Sequence, residues 1–412
     1  MVLKINKTLE LFIGVLILFF FLNNVSLSGI KIFYLLLPLI IVMFSFKRYF
    51  RVYLENKLFA LFVFFSFLSI LPAILSNDNT VVLVTLKSVG VITLIMLITY
   101  VISNVVDISS IRTYSNLSLL GIVIIFINFI SHLNDGRYQG FFNDSNYFNS
   151  AIVLFIFFIL LDLNHTKNLS IIKKVLSVTA VIVLSIITLF TASRSGILAL
   201  MTFYFFYFLF QLKNRTFIRL FKSFVFLLFI LTLSFFLIIS VNKTFLNDSQ
   251  QQIKYVMARF SAEEGSSDGN SSFMRINEIR TGLNMMEDNP ISLFMGNGIG
   301  STSAIEHFSK YKYYVSLNTT RIHNTFSAVF IEQGIINFII FLWILFLTFR
   351  EIRKSKYKNI LYALFFSQLI IATFIWTILF LPFWISIFIM LSIAKKKEQI
   401  GNEVENENIA CI

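Results

Sequence analysis

The chain has 412 residues, of which 57% are hydrophobic and only 13% charged, with a mean hydropathy of +0.82; this excludes a soluble globular protein. Fifty-one Phe and fifteen Tyr against four Pro and fifteen Gly exclude a disordered, collagen-like or low-complexity chain, because so much apolar surface must be hidden from water. The formal charge of +13 comes from Lys and Arg clustered between apolar runs, which argues for membrane loops over nucleic-acid binding, and the lone Cys411 leaves no internal disulfide, CxxC metal site or redox centre.

Apolar stretches long enough to cross a hydrocarbon core of about 30 Å as helices number about twelve. They fall near 9–25, 29–46, 58–76, 81–103, 115–133, 147–163, 171–191, 196–212, 219–241, 324–348, 359–378 and 380–394. The expected fold is an all-α, polytopic integral membrane protein. Only Leu381-Pro382 divides the last two stretches. Lys4 and Lys7 before the first apolar run and the weak small-x-small Ser26-Leu27-Ser28 resemble a signal peptide, but cleavage there would not alter the orientation of the rest. Alternate loops carry the bases: Lys47, Arg48, Arg51 and Lys57; Arg112; Lys167, Lys173 and Lys174; Lys213, Arg215, Arg219 and Lys222; Arg350 to Lys358; and Lys395 to Lys397. Cytoplasmic loops are enriched in Lys and Arg, so that side is expected to be cytoplasmic, with both termini. Arg137 and Arg194 fall on the opposite side, where topology does not account for them.

The domain reading that follows is a membrane domain over 1–241, an external loop domain over 242–322, a second membrane part over 323–394 and a polar cytoplasmic tail over 395–412. Within the loop, Phe273, Ile276, Ile279, Leu283 and Met286 recur at helical spacing, with Ser271 or Ser272 as cap and Pro290 as stop. GNGIG, Gly296 to Gly300, is expected to be a flexible turn, and STSAIEHFSKYKYYV a second amphipathic helix with His307 on its surface. The same outer face receives RYQGFFNDSN from Arg137 and TASRSG from Thr191.

Together TASRSG, MRINEIRTGLNMMEDNPISLFMGNGIG and HNTFSAVFIEQG resemble the bacterial O-antigen ligase and polysaccharide polymerase family. The resemblance covers roughly 137–340 and rests on Arg194, Arg275, Asn289-Pro290, Gly298, Gly300, His323-Asn324 and Gly334, in that order and spacing, with Arg137, Gly140 and Asn146 as a further element. The chain departs from the pattern at Asn337, where the family often has a second small residue. The resemblance implies a donor glycan on undecaprenyl pyrophosphate, a lipid-linked acceptor, a chain-length regulator as partner, location in the bacterial cytoplasmic membrane, and no cofactor.

A departing pyrophosphate needs fixed cations, and Arg offers a planar fork of donors and a permanent charge. Arg194, Arg137, Arg275, Arg280 and Arg321 are the candidates, Arg194 foremost because it sits between Ser193 and Ser195 where two spans join tightly. An attacking sugar hydroxyl must lose a proton, and His323, two residues after Arg321, is the candidate base; the bland alternative is that His323-Asn324 only caps a helix. Lys87 and Glu332 lie inside spans, about 9 Å and about 12 Å from their outer ends, and could pair there, or Glu332 could orient His323 through neighbours; Glu332 and Asn324 join the arginines as candidates for substrate binding. Asp78 stands alone on the first outer loop, without a DxD pair, and no HExxH, P-loop or GxSxG motif occurs, so metal-independent transfer is expected. A polymerase is the first reading and a ligase its close alternative. A flippase would show paired halves, which the sequence lacks, and a structural or assembly protein would use these motifs only for packing.

Overall fold

Within lipid only helices satisfy every backbone N–H and C=O inside one segment. The apolar runs accordingly become helices in the computed structural model, which describes residues 14, 26–27, 30–31, 54–132, 138–140, 142, 144–166, 168–211, 270–287, 290–311 and 321–410. Helix α1 (Leu54–Leu68) is continued by α2 (Ile70–Leu75) and followed by α3 (Asn79–Val105), α4 (Ile111–Ser131), α5 (Ser145–His165), α6 (Ile171–Phe190) and α7 (Arg194–Gln211). The loop segment contributes α8 (Asn270–Glu287), α9 (Pro290–Met295), a 3-10 turn at Ser301–Ser303 and α10 (Ile305–Ser309). Then come α11 (Thr325–Lys354), α12 (Lys358–Phe374) and α13 (Leu381–Ala410). Among the described residues six spans are long and apolar enough to cross a membrane: Leu54–Leu75, α3, α4, α5, α6 and α11. The apolar stretches Arg194–Leu209, Lys358–Phe374 and Leu381–Lys395 are shorter. The expected spans 219–241 and, Gly14 apart, 9–25 lie outside the described residues, as does 29–46 except Ile30–Lys31, which pairs antiparallel with Ser26–Leu27.

Side chains set the starts of several helices. Asp78 accepts the Thr80 N–H at 2.9 Å to open α3, Asp144 accepts that of Asn146 at 2.7 Å to open α5, and Asn324 accepts that of Ser327 at 3.0 Å to open α11. Between α12 and α13 the chain breaks at Ile375, before Leu381-Pro382. The freed backbone is satisfied by neighbours: Thr325 Oγ1 donates to the Ile375 carbonyl at 2.6 Å and accepts the Thr377 N–H at 2.9 Å, while the Tyr147 hydroxyl donates to the Trp376 carbonyl at 2.6 Å. At its other end α13 continues beyond the expected span as far as Ala410.

Helix α5 is the centre of the bundle, with 78% of its apolar stretch buried against 39% for α4 and α6. The same core continues as an aromatic cluster between α1, α11 and α13, where Phe59 stacks on Trp384 at 4.4 Å and Phe62 and Phe341 pack around them. Opposite this core, Leu83, Ile127, Ile171, Met201 and Phe205 are exposed, as lipid-facing positions are.

Hydrogen bonds distinguish the two ends of the bundle. One end joins α1 to α13 through Glu55 and Lys395, α13 to the end of α3 through Ser392 and the Val106 carbonyl, and α5 to α12 through His165 and Tyr357 at 2.8 Å. Lys57, Arg112, Lys173, Lys174, Arg350, Arg353, Lys354, Lys356 and Lys358 lie at the corresponding helix ends. The other end gathers the α2–α3 turn, the start of α5, the α6–α7 turn, the loop helices, the start of α11 and the α12–α13 break.

Candidate functional site

TASRSG forms the α6–α7 turn and docks on the first turn of α5. Ala192 takes a positive φ of 49°, which a non-glycine residue adopts only when its surroundings impose it. Here the Asn149 amide donates to Thr191 Oγ1 at 2.9 Å, and the hydroxyls of Ser193 and Ser195 both donate to Asn146 Oδ1. Gly196 has to be glycine, since a Cβ would lie 1.9 Å from Asn149 Nδ2. Two stretches far apart in sequence thus form one joint, and Arg194 stands exposed on it as the first residue of α7.

A break at Gly334 organises the second part. Its φ of 76° and ψ of 176° interrupt α11, and the Ile331 and Glu332 carbonyls turn to the loop. Asn297 donates to the Ile331 carbonyl through its N–H at 3.2 Å and its side-chain amide at 3.1 Å; the Gly298 N–H donates to the Glu332 carbonyl at 2.9 Å. GNGIG is therefore a buried, hydrogen-bonded connection rather than the expected flexible turn. Cβ atoms on Gly298 and Gly300 would lie 2.4 Å from Thr85 and Ser88 hydroxyls, so the loop is wedged against α3. Glu332, fully buried, accepts the Gly300 N–H at 3.0 Å and the Thr302 hydroxyl, whereas Lys87 is exposed, so the expected Lys87–Glu332 pair does not form. Asn337 is a packing residue: its amide donates to the Phe62 carbonyl at 3.1 Å, Ser66 Oγ at 3.2 Å and Gln333 Oε1 at 3.0 Å.

Asp78 is not alone. His307 Nδ1 lies 3.0 Å from its carboxylate and Lys310 Nζ 3.6 Å away, joining the loop segment to the α2–α3 turn. The Thr80 hydroxyl, with help from Thr80 N–H and His307, holds the Asp78 carboxyl down at about 2 despite partial burial. His307, expected on a surface, is buried, and that burial lowers its pKa against the pull of Asp78. The expected long second amphipathic helix is, among described residues, the short α10.

The third part surrounds His323. Helix α8 forms as expected but starts at Asn270, which places Ser271 and Ser272 in its first turn, and among its described side chains the inward face keeps only Met286 and, in part, Ile279 of the expected apolar positions. Ile276 and Leu283 are exposed, while Asn277, Glu278, Thr281, Gly282 and Met285 face inward. A Cβ on Gly282 would lie 2.6 Å from Ile331 Cδ1 and 2.9 Å from Ile322 Cδ1, so glycine permits close approach to α11. One turn earlier, the buried Glu278 carboxylate meets His323, with Oε1 and Oε2 at 3.0 and 2.9 Å from Nδ1 and Oε2 accepting the His323 N–H at 3.2 Å. Arg275, three residues before Glu278, lies over the Phe374 ring at 5.5 Å, and Asn324 donates to the neighbouring Thr373 carbonyl at 3.0 Å while capping α11. Arg321 acts electrostatically on Tyr147, whose hydroxyl contacts the α12–α13 break.

The structure thus brings Arg275, His323 and Asn324 together at the end of α12 and sets Arg321 near Tyr147. Arg194 is on the joint held by the adjacent Asn146, at the same end of the bundle. Arg280 is exposed, round the helix from Glu278, Glu332 lies deeper in the loop anchor, and Arg137 lies outside the described residues. Sequence reasoning missed Glu278; its signal was a place on the Thr281–Gly282–Met285 face, obscured by attention to the apolar positions. Among the described residues no group of three or more His, Cys, Asp or Glu side chains could hold a metal ion.

Residues 179–342 match the family described as O-Antigen ligase. The matched segment contains TASRSG, α8, GNGIG and the His323–Gly334 stretch, and it supports the resemblance of this integral membrane protein to the O-antigen ligase and polymerase family. No curated protein matches the chain.

Proposed function

We propose that this protein is a polymerase of undecaprenyl-pyrophosphate-linked oligosaccharide repeats for a bacterial surface polysaccharide, acting at the outer face of the cytoplasmic membrane. The family implies a glycosyltransferase-like enzyme acting on lipid-linked oligosaccharide. The observation that carries the reading is that Arg275 lies over Phe374 while His323, held by Glu278, immediately precedes Asn324, which donates to the Thr373 carbonyl, at the bundle end that also bears Arg194. The imidazole accepts a proton from the acceptor sugar hydroxyl. The hydroxyl oxygen of the acceptor sugar then forms a bond to the donor's anomeric carbon, the bond from that carbon to the phosphate oxygen breaks, and undecaprenyl pyrophosphate leaves with its electron pair. Arg194, Arg275 and Arg321, with Arg137, hold the diphosphate and its developing charge, while Arg280, on the exposed side of α8, meets the substrate only at its edge. Asn324 and Glu332 serve by holding α11 and the GNGIG loop in place.

The specific alternative is a ligase, which the matched family's description favours. Asn337 does not weigh against it, because its contacts are packing contacts between α1 and α11. Deletion followed by gel analysis of surface glycan separates the readings. Single-repeat glycan on the surface supports a polymerase. Full-length glycan retained on the carrier lipid supports a ligase, and single repeats trapped inside the cell overturn both in favour of a flippase. Purified protein is expected to elongate a lipid-linked repeat equally with and without chelator; absolute dependence on a divalent metal would contradict the proposed chemistry.

A further inference from the structure

The Glu278–His323 contact does more than close a loop. The carboxylate accepts the His323 main-chain N–H through Oε2, and the same group lies within hydrogen-bond distance of the ring at Nδ1. A neutral imidazole facing an accepting carboxylate at Nδ1 must carry its proton there, leaving the Nε2 lone pair as the acceptor. Exposure agrees with this division: the Glu278 side chain is 3% exposed and that of His323 30%, so the tied edge is inside while the ring remains open to a substrate.

We propose that Glu278 is the positioning residue for His323. It fixes the ring and its tautomer so that Nε2 receives the acceptor hydroxyl's proton, and it faces the imidazolium formed by that transfer. The inference rests on the reading of His323 as the base. The fold serves it through Gly282, which lets α8 approach Ile322 and Ile331 closely enough for a side chain one turn away to reach the start of α11. Glu278 is exchangeable in principle for any group that accepts at Nδ1, but a neutral amide matches the geometry without the charge that stabilises the imidazolium.

The test uses the full-length protein in lipid nanodiscs and an undecaprenyl-pyrophosphate-linked repeat extracted from the native membrane. Glu278→Gln is expected to lower kcat about 100-fold, within the range of general-base contributions, with KM for the repeat changed less than about twofold. Glu278→Asp, which retains the charge with a shorter reach, is expected to recover about tenfold of that loss. In a His323→Ala background Glu278→Gln is expected to cost nothing further, because a group acting only through the imidazole has nothing left to act on. Full kcat in Glu278→Gln with a crippled His323→Ala overturns the Glu278 assignment alone; full turnover in His323→Ala overturns the base itself. Additive losses in the double variant, or a loss confined to KM, also overturn the positioning role. Should Glu278→Gln not accumulate in the membrane, Glu278→Asp carries the same test, its kcat defect expected to vanish in the His323→Ala background.

Discussion

At the scale of single residues, the joint beneath Arg194 depends on one amide oxygen. Asn146 Oδ1 accepts from both Ser193 and Ser195, and removing it leaves two buried hydroxyls without that acceptor. Asn146→Ala is expected to cost about 1–3 kcal/mol, read as a lowered Tm in detergent, and to reduce glycan elongation; an unchanged Tm and elongation rate would remove Asn146 as the anchor. His307 supplies a pH dependence. Its folded pKa lies below its ordinary 6.5, so the unfolded chain binds the proton first on acidification. The stability contributed by neutral His307 is present above 6.5 and is lost as pH falls from there through the lower folded value. Thermal unfolding between pH 7.5 and pH 5 should show a steeper loss in the wild type than in His307→Asn. The depressed Asp78 carboxyl, at about 2, acts lower: its contribution persists above the ordinary 3.8 and is lost as pH falls towards 2.

At the scale of elements, the break in α11 and the buried loop hold each other. A Cβ on Gly334 would lie 2.2 Å from the Phe294 carbonyl oxygen, and one on Gly296 would lie 2.2 Å from the Gln333 nitrogen. Both clashes are with backbone, which cannot step aside, and both glycines have positive φ. Gly334→Ala and Gly296→Ala are each expected to cost about 3 kcal/mol or more, seen as loss of folded protein on gel filtration; normal yield and Tm in either would contradict the docked loop. Much of this was legible in the sequence as helix existence: α3 to α7, α11 and the α12–α13 division follow from apolar length, caps and Leu381-Pro382. What was not legible is which polar group meets which. The face of α8 was only partly legible: Met286 and Ile279 pack inward as apolar spacing implies, but Ile276 and Leu283 are exposed and the hidden side also carries Asn277, Glu278 and Thr281. His307 was assigned to a surface because its partner Asp78 is over two hundred residues away.

At the scale of the whole molecule, the proposed orientation has a direct test. Reporter fusions after Asn77, Ala192 and Ile375 should report the outside, and fusions after Asp107, Thr166 and Lys356 the cytoplasm, as the basic residues at that end require. Any fusion that separates the Ala192 turn from the Ile375 break across the bilayer would dismantle the proposed site. The distance along the chain between Ser66 and Gln333, 267 residues, also orders biosynthesis. Ser66 and Ser69 enter the membrane early in translation, yet Gln333 and the Ile299 N–H that meet them emerge from the ribosome much later. The young protein must therefore carry these hydroxyls through insertion without their final companions, and its first spans can lock only in a late consolidation step, after the segment containing Gly334 has been delivered.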